Sequence, residues 1–212
     1  MKFFPSKYVR CLGLLLALVT LTAALAVPAG AVYSDDYAQW KQGDPEWNEA
    51  PAWSGSYTTF LANSGCWVTS VSMLLRHYGV VDGDVEDFNP WICAGELAAG
   101  GALLNSGDMV LSQVGSVYPG FDCAGEYGFS YDRLYELFDG GYACAVLING
   151  GGHMVAVKDI LSDGTVEIMD PGSDKTTLDQ CSGLAEIICF GPVERETDLL
   201  PIAAPQSTPA VS

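Results

Sequence analysis

The spacing of apolar residues changes character at residues 140–141, and this change most constrains the fold. Before it, residues 66–78 carry apolar side chains at steps of three and four, which is typical of an amphipathic helix. Residues 130–138 form a second predicted helix between a serine and two glycines. After it come four short β-branched, apolar runs: Tyr142–Ile148, His153–Ile160, Thr165–Met169 and Ala185–Phe190. Helices followed by a sheet predict an α+β domain.

Capping and turn residues set the expected ends of these elements. Ser64 is the predicted N-cap of the first helix and Gly79 its predicted C-cap. Ser130 is the predicted N-cap of the second helix, and residues 162–164 (Ser-Asp-Gly) predict a hairpin turn. Residues 80–126 are rich in Gly, Ala and Asp, which indicates short helices and loops.

Residues 1–31 have the three parts of a secretory signal peptide. A basic start is followed by the apolar stretch Leu12–Val27 and then by small residues up to Ala31. A membrane anchor is the alternative, but the stretch is short and small residues stand where a cleavage site belongs. We therefore expect cleavage after Ala31 and a secreted protein without a stable membrane anchor.

The remaining chain is predicted to hold one folded domain, residues 32–200, and a disordered tail, residues 201–212. Cleavage would remove three of the nine basic residues and none of the 26 acidic ones, so the mature net charge is −20. This charge argues against nucleic acid and against anionic membranes or wall polymers as partners. We expect a monomer whose partner is a peptide or protein substrate.

Six of the seven cysteines would remain after cleavage: Cys66, Cys93, Cys123, Cys144, Cys181 and Cys189. An even number in an exported chain suggests three disulfides. If Cys66 is a free nucleophile, at most two bridges are possible, and Cys144 also fits a small buried apolar residue. The pairing therefore stays open. No cysteine or histidine spacing indicates a metal site, and we expect no cofactor.

Cys66 lies at the predicted start of the first helix, in the segment Ser64-Gly65-Cys66-Trp67. The positive end of the helix dipole favours thiolate over thiol there. The free backbone N–H groups of the first turn can also hold a developing oxyanion. Cys66 is therefore the candidate nucleophile.

A cysteine nucleophile needs a base and a group that orients the base. His77 lies eleven residues further along the same helix, roughly 16 Å away at 1.5 Å per residue, so it cannot reach the thiol. His153 is the remaining histidine. If the strands around the predicted turn form a hairpin, Asp170 lies at the same end as His153 and can orient the imidazole.

Taken together, four segments resemble the C39-like peptidase family of papain-fold cysteine proteins. In order they are Gln39-Trp40-Lys41-Gln42 with Asp44-Pro45-Glu46-Trp47, Ser64-Gly65-Cys66 with its helix, Gly152-His153-Met154-Val155-Ala156-Val157, and Asp170-Pro171. The resemblance implies a papain-like fold whose N-terminal active-site helix packs on a C-terminal antiparallel sheet. It also implies peptide or isopeptide hydrolysis by Cys66, His153 and Asp170, with Gln42 and the Cys66 N–H in the oxyanion hole.

One departure and two alternatives accompany this resemblance. Trp67-Val68 stand where the family often has Gly-Pro, which predicts a narrower site or a changed specificity. A catalytically inactive papain-like module that binds peptides or wall fragments, or holds a partner, is one alternative. A thiol amidase acting on cell-wall peptides is the other, although the acidic charge gives it no support.

Overall fold

The computed structural model describes residues 36–44, 47, 60–104 and 106–193. The predicted signal peptide and the predicted tail lie outside these residues, so both stay predictions. No helix among the described residues has the length and apolar character needed to cross a membrane.

The described residues confirm the α+β class. Five antiparallel strands form one sheet in the order β1-β5-β2-β3-β4. The strands are β1 Cys123–Gly128, β2 Ala143–Ile148, β3 His153–Ile160, β4 Val166–Met169 and β5 Glu186–Phe190. The helices are α1 Phe60–Ser64, α2 Cys66–His77, α3 Pro90–Ala99, α4 Val114–Val117 and α5 Tyr131–Asp139. The four strands predicted after residue 141 are all present, with ends shifted by at most one residue.

Apolar side chains cover both faces of the sheet. On β2 every residue is buried, because alternate side chains enter two different cores. Ala143, Ala145 and Leu147 pack in the core that contains α2 and α3, whereas Cys144, Val146 and Ile148 pack in the core that contains α5. This two-sided burial explains why the strand is a continuous apolar run rather than an alternating pattern.

The hairpin between β3 and β4 forms as predicted. Gly164 has a φ of +87°, a left-handed conformation that glycine adopts without steric cost. The Thr165 N–H donates to the Asp163 carboxylate at 2.9 Å, which closes the turn. The hairpin brings the start of β3 and the end of β4 to the same end of the sheet.

The predicted N-cap of the nucleophile helix is wrong. Ser64 ends the preceding helix α1, and Gly65 takes the N-cap position of α2 without a side-chain hydrogen bond. The Gly65 N–H donates to the Leu61 carbonyl at 2.8 Å, and a Cβ at Gly65 would lie only 2.4 Å from that oxygen. At the other end, Tyr78 is the C-cap and Gly79 follows it with a φ of +62°.

The prediction for residues 80–126 misses one strand. The region contains α3 and α4, but β1 begins at Cys123 and pairs with β5 at the edge of the sheet. The sequence Cys-Ala-Gly-Glu-Tyr-Gly lacks β-branched residues, so its local preference does not indicate a strand. Pairing with the buried strand β5 supplies what local preference lacks.

The cysteine pattern also differs from a disulfide framework. None of the six described cysteines forms a disulfide with another, so the three bridges suggested by their even number are absent. Cys144 is fully buried and lies opposite Cys189 across β2 and β5. Both behave as small apolar residues of the core that contains α5.

Candidate active site

The first turn of α2 places Cys66 against the backbone of β3. The Met154 backbone N–H lowers the pKa of the Cys66 thiol, and Ser70, one turn further along α2, donates its hydroxyl to the Met154 carbonyl at 3.0 Å. The pairing of β3 with β4 begins only at Ala156, so Met154 is not paired with β4 and its backbone is available to helix α2. Cys66 and Ser70 lie four residues apart on the same face of α2, so the bond from Ser70 to β3 also fixes the position of the thiol relative to the sheet.

His153 is the first residue of β3 and lies between the thiol and a carboxylate. Its Nε2 lies 2.7 Å from an Asp170 carboxylate oxygen, and its imidazole also lies close enough to Cys66 to lower the pKa of the thiol. Because Asp170 occupies Nε2, Nδ1 is the nitrogen that serves the thiol. Gly172 makes room for the ring, since a Cβ there would lie 2.8 Å from the imidazole Cε1.

Asp170 follows β4 and is 2% exposed. Its Oδ1 accepts hydrogen bonds from His153 and from the Gly172 N–H at 2.8 Å, while its Oδ2 accepts one from the Ser173 hydroxyl. Burial alone would raise the pKa of this carboxyl, but the three donors and the imidazolium charge lower it to about 2. Asp170 is therefore ionised at neutral pH.

The thiol and the imidazole have pKa values displaced in opposite directions. Burial raises the pKa of Cys66, but the interaction with the His153 imidazole and with backbone N–H groups lowers it by more. The net pKa of the thiol therefore lies below its ordinary value. Burial lowers the pKa of His153, but Asp170 and Cys66 together raise it to about 9. This displacement favours a thiolate–imidazolium pair at neutral pH.

The segment containing Lys41 and Gln42 lies against the turn that follows β4. The Lys41 ammonium donates to the Asp170 carbonyl at 3.0 Å and also to the Ser173 carbonyl. The Gln42 N–H donates to the Pro171 carbonyl at 2.9 Å. These bonds hold the N-terminal segment beside the candidate site.

The side chain of Gln42 joins this segment to α1. Its Nε2 donates to the Ala62 carbonyl at 2.9 Å, which fixes the orientation of the amide because the opposite orientation would set two oxygens together. One N–H of this amide is not used by Ala62. Gln42 lines a pocket with His153 and Asp170, but among the described residues it hydrogen-bonds neither of them, nor Cys66.

A groove of about 380 Å³ opens beside Cys66. This volume is in the range of sites that hold small ligands. Trp67 forms part of the groove wall beside the thiol. The described lining residues are Asn63, Ser64, Cys66, Trp67, Ser106, Gly107, Asp108, Met109 and Gly152.

The structure thus brings Cys66, His153 and Asp170 together, with His153 hydrogen-bonded to Asp170 and lowering the pKa of Cys66, and it places Gln42 in the pocket beside His153. His77 lies at the far end of α2, where its Nδ1 is 3.1 Å from the Tyr37 hydroxyl. The sequence reasoning missed several supporting residues. Ser70 lies one helical turn after Cys66, and Gly172 and Ser173 lie two and three residues after Asp170. These positions in the sequence could have indicated that the three residues support the site. Asp108 had no local signal.

Among the described residues, no group of three or more His, Cys, Asp or Glu side chains could hold a metal ion. No protein-family model matches the chain, and no curated protein matches it. The function proposed below therefore rests on the geometry of the site.

Proposed function

We propose that the protein is a secreted papain-like cysteine hydrolase, a C39-like peptidase that cleaves peptide bonds. Cys66 is the nucleophile, His153 the general base and acid, and Asp170 the group that orients the imidazole. Gln42 and the Cys66 N–H form the oxyanion hole. The observation that carries the proposal is the position of His153, which lowers the pKa of the Cys66 thiol on one side and lies 2.7 Å from the buried Asp170 carboxylate on the other.

The first half-reaction forms a thioester. The Cys66 thiolate attacks the peptide carbonyl carbon, and the carbonyl π electrons move to oxygen. The Cys66 N–H and the unused N–H of Gln42 stabilise this oxyanion. When the C–N bond breaks, the His153 imidazolium gives its Nδ1 proton to the departing amine, which leaves neutral imidazole and an acyl group on sulfur.

The second half-reaction returns the free enzyme. Neutral His153 takes a proton from water, and the hydroxide attacks the thioester carbonyl. Collapse of the second oxyanion expels the Cys66 thiolate and releases the carboxylic acid. The hydrogen bond between Asp170 and Nε2 of His153 keeps Nδ1 directed towards the thiol throughout. The negative charge of Asp170 stabilises the imidazolium in both half-reactions.

The contrast with the other buried cysteines favours a nucleophile over an inert thiol. Burial raises the pKa of Cys93 to about 12 and that of Cys189 to about 11. Cys66 is also buried, at 7% exposure, yet its pKa is lowered. Cys66 is a free thiol, which the proposed mechanism requires and a structural disulfide would forbid.

The arrangement of elements supports the proposed fold. Helix α2 begins at the candidate nucleophile and packs on the antiparallel sheet through the Ser70 hydroxyl and the Met154 carbonyl. The histidine and the aspartate both come from the sheet, in the order that the resemblance implies. Secretion and a monomeric state remain part of the proposal, on the signal-peptide pattern and the acidic charge.

A diverse peptide library tests the proposal when it is digested with the mature protein, with Cys66→Ala and with Cys123→Ala. Cys123 is a partly buried thiol on β1, at the opposite edge of the sheet from β4, so it is the matched control. We expect cleavage by the wild type and by Cys123→Ala and none by Cys66→Ala. Peptide binding without cleavage would support the inactive binding module instead.

A further inference from the structure

A short turn brings an acidic residue to the groove beside the thiol. Leu103 and Met109 face each other in an antiparallel bridge, and the Leu104 N–H donates to the Asp108 carbonyl at 2.9 Å. The Gly107 N–H donates to the Leu104 carbonyl at 2.8 Å, which tightens the turn. The groove that contains the candidate nucleophile is lined by this turn on one side.

The Asp108 carboxylate is exposed and has acceptor capacity to spare. The Ser106 hydroxyl donates to its Oδ2 at 2.7 Å, which leaves Oδ1 for a ligand. No lysine or arginine occurs among the described residues of the groove wall. Trp67 and Met109 add an aromatic and an aliphatic surface to the same wall.

We infer that this groove binds a cationic side chain, lysine or arginine, next to the scissile bond, with Asp108 as the specificity-determining residue. The methylene stem of such a side chain can lie against Trp67 and Met109 while its charged head reaches Asp108. The inference rests on the proposed function, because it names the substrate class of that site. The chain's net charge of −17 would also attract cationic peptides and repel anionic ones.

A second pocket, lined by His153 and Asp170, differs in charge from the groove beside Cys66. It contains Lys175, and its carboxylate from Asp170 is already engaged by His153, Gly172 and Ser173. A cationic substrate residue is therefore favoured on the Asp108 side of the catalytic pair and disfavoured on the Lys175 side.

Charge-sorted methanethiosulfonates test the inference without requiring hydrolysis. The cationic aminoethyl reagent, the neutral methyl reagent and the anionic sulfonatoethyl reagent each modify a thiolate, and peptide mass spectrometry gives the rate at Cys66. We expect the cationic-to-neutral rate ratio to fall by up to about fivefold in Asp108→Asn, the range for an exposed ion pair. Asp82→Asn, an exposed aspartate outside the groove, should leave the ratio unchanged.

Equal ratios in wild type and Asp108→Asn would overturn the inference, as would the same fall in Asp82→Asn. Added salt should also lower the wild-type ratio, because it screens an exposed charge.

In the peptide library, cleavage should concentrate next to lysine and arginine, and this preference should weaken in Asp108→Asn. Cleavage that depends on Cys66 but ignores these residues would refute the inference and keep the proposed function. Absence of cleavage by the wild type, with the charge-dependent labelling ratio intact, would refute the proposed function and keep only the binding of a cation in the groove.

Discussion

Replacing His153 by alanine tests the proposed thiolate, because the imidazole opposes the effect of burial on Cys66. Burial raises the pKa of this thiol, whereas the hydrogen bond and charge of His153 lower it. A hydrogen bond to a charged group is worth about 1.5–3 kcal/mol, and one pKa unit corresponds to about 1.4 kcal/mol. We therefore expect His153→Ala to raise the pKa of Cys66, because the variant loses the group that lowers it.

The alkylation rate of Cys66 should change less than the thiolate fraction. At a pH below the Cys66 pKa in both wild type and variant, the loss of an interaction of that free energy lowers the thiolate fraction about ten- to hundredfold. A more basic thiolate is also more nucleophilic, with a Brønsted coefficient of about 0.4–0.5 for attack on disulfides. The net expectation is labelling that is about three- to tenfold slower at low pH, and faster than wild type above both pKa values.

The assay is iodoacetamide labelling of the folded protein across a pH series, read by mass spectrometry of the peptide that contains Cys66. His77→Ala is the matched control, because it removes the other histidine from the far end of the same helix. Circular dichroism checks that each variant is folded. The reasoning fails if His153→Ala and wild type share one labelling midpoint, or if His77→Ala shifts it equally.

Three further predictions concern the support of the site. Ser70→Ala should lower the free energy of unfolding by about 1–3 kcal/mol, because it leaves a buried carbonyl of β3 without its partner. Ser72→Ala is its control, since that buried hydroxyl bonds only within the helix, and equal losses in urea unfolding would refute the role of Ser70 in joining helix and sheet. Gly172→Ala should displace His153 and reduce kcat in peptide hydrolysis, and an unchanged kcat would show that the ring tolerates the added Cβ. The Asp170 carboxyl has a folded pKa of about 2 against an ordinary 3.8, so its stabilisation, about 2 kcal/mol, is present above pH 3.8 and lost as the pH falls through 2. The free energy of unfolding should therefore fall more steeply between pH 5 and pH 2 in wild type than in Asp170→Asn. Parallel curves of free energy against pH would contradict this.

The fold was predictable where local preference and tertiary packing agree. The segments Ala143–Ile148 and His153–Ile160 are short, apolar and partly β-branched, which indicates strands. The Ser-Asp-Gly turn joins the second of them to β4. Strand β1 was missed because its small residues acquire extended structure only by pairing with β5. The N-cap at Ser64 was misplaced because the short helix α1, which ends there, gives no separate signal.

The candidate site was predictable to the extent that it follows from the chain's order. One hairpin puts His153 and Asp170 together, and the helix start marks Cys66. The contact of Ser70 with the Met154 carbonyl depends on how the helix lies on the sheet, which the sequence does not specify. Asp108 reaches the groove through a turn with no recognisable motif, so only the folded chain shows it beside the thiol.

The acyl group that should form on Cys66 gives the most direct test of the central claim. The mature protein is mixed with an activated p-nitrophenyl ester of a lysine-containing peptide, quenched in acid within one turnover, and measured by intact mass and peptide mapping. The proposed mechanism predicts one acyl group on Cys66 that hydroxylamine removes, and none in Cys66→Ala. It also predicts that the acyl group persists in His153→Ala when that variant is acylated at high pH, because its deacylation lacks a base. An adduct at another residue, or equal acylation of Cys66→Ala, would contradict the assignment of Cys66 as the nucleophile.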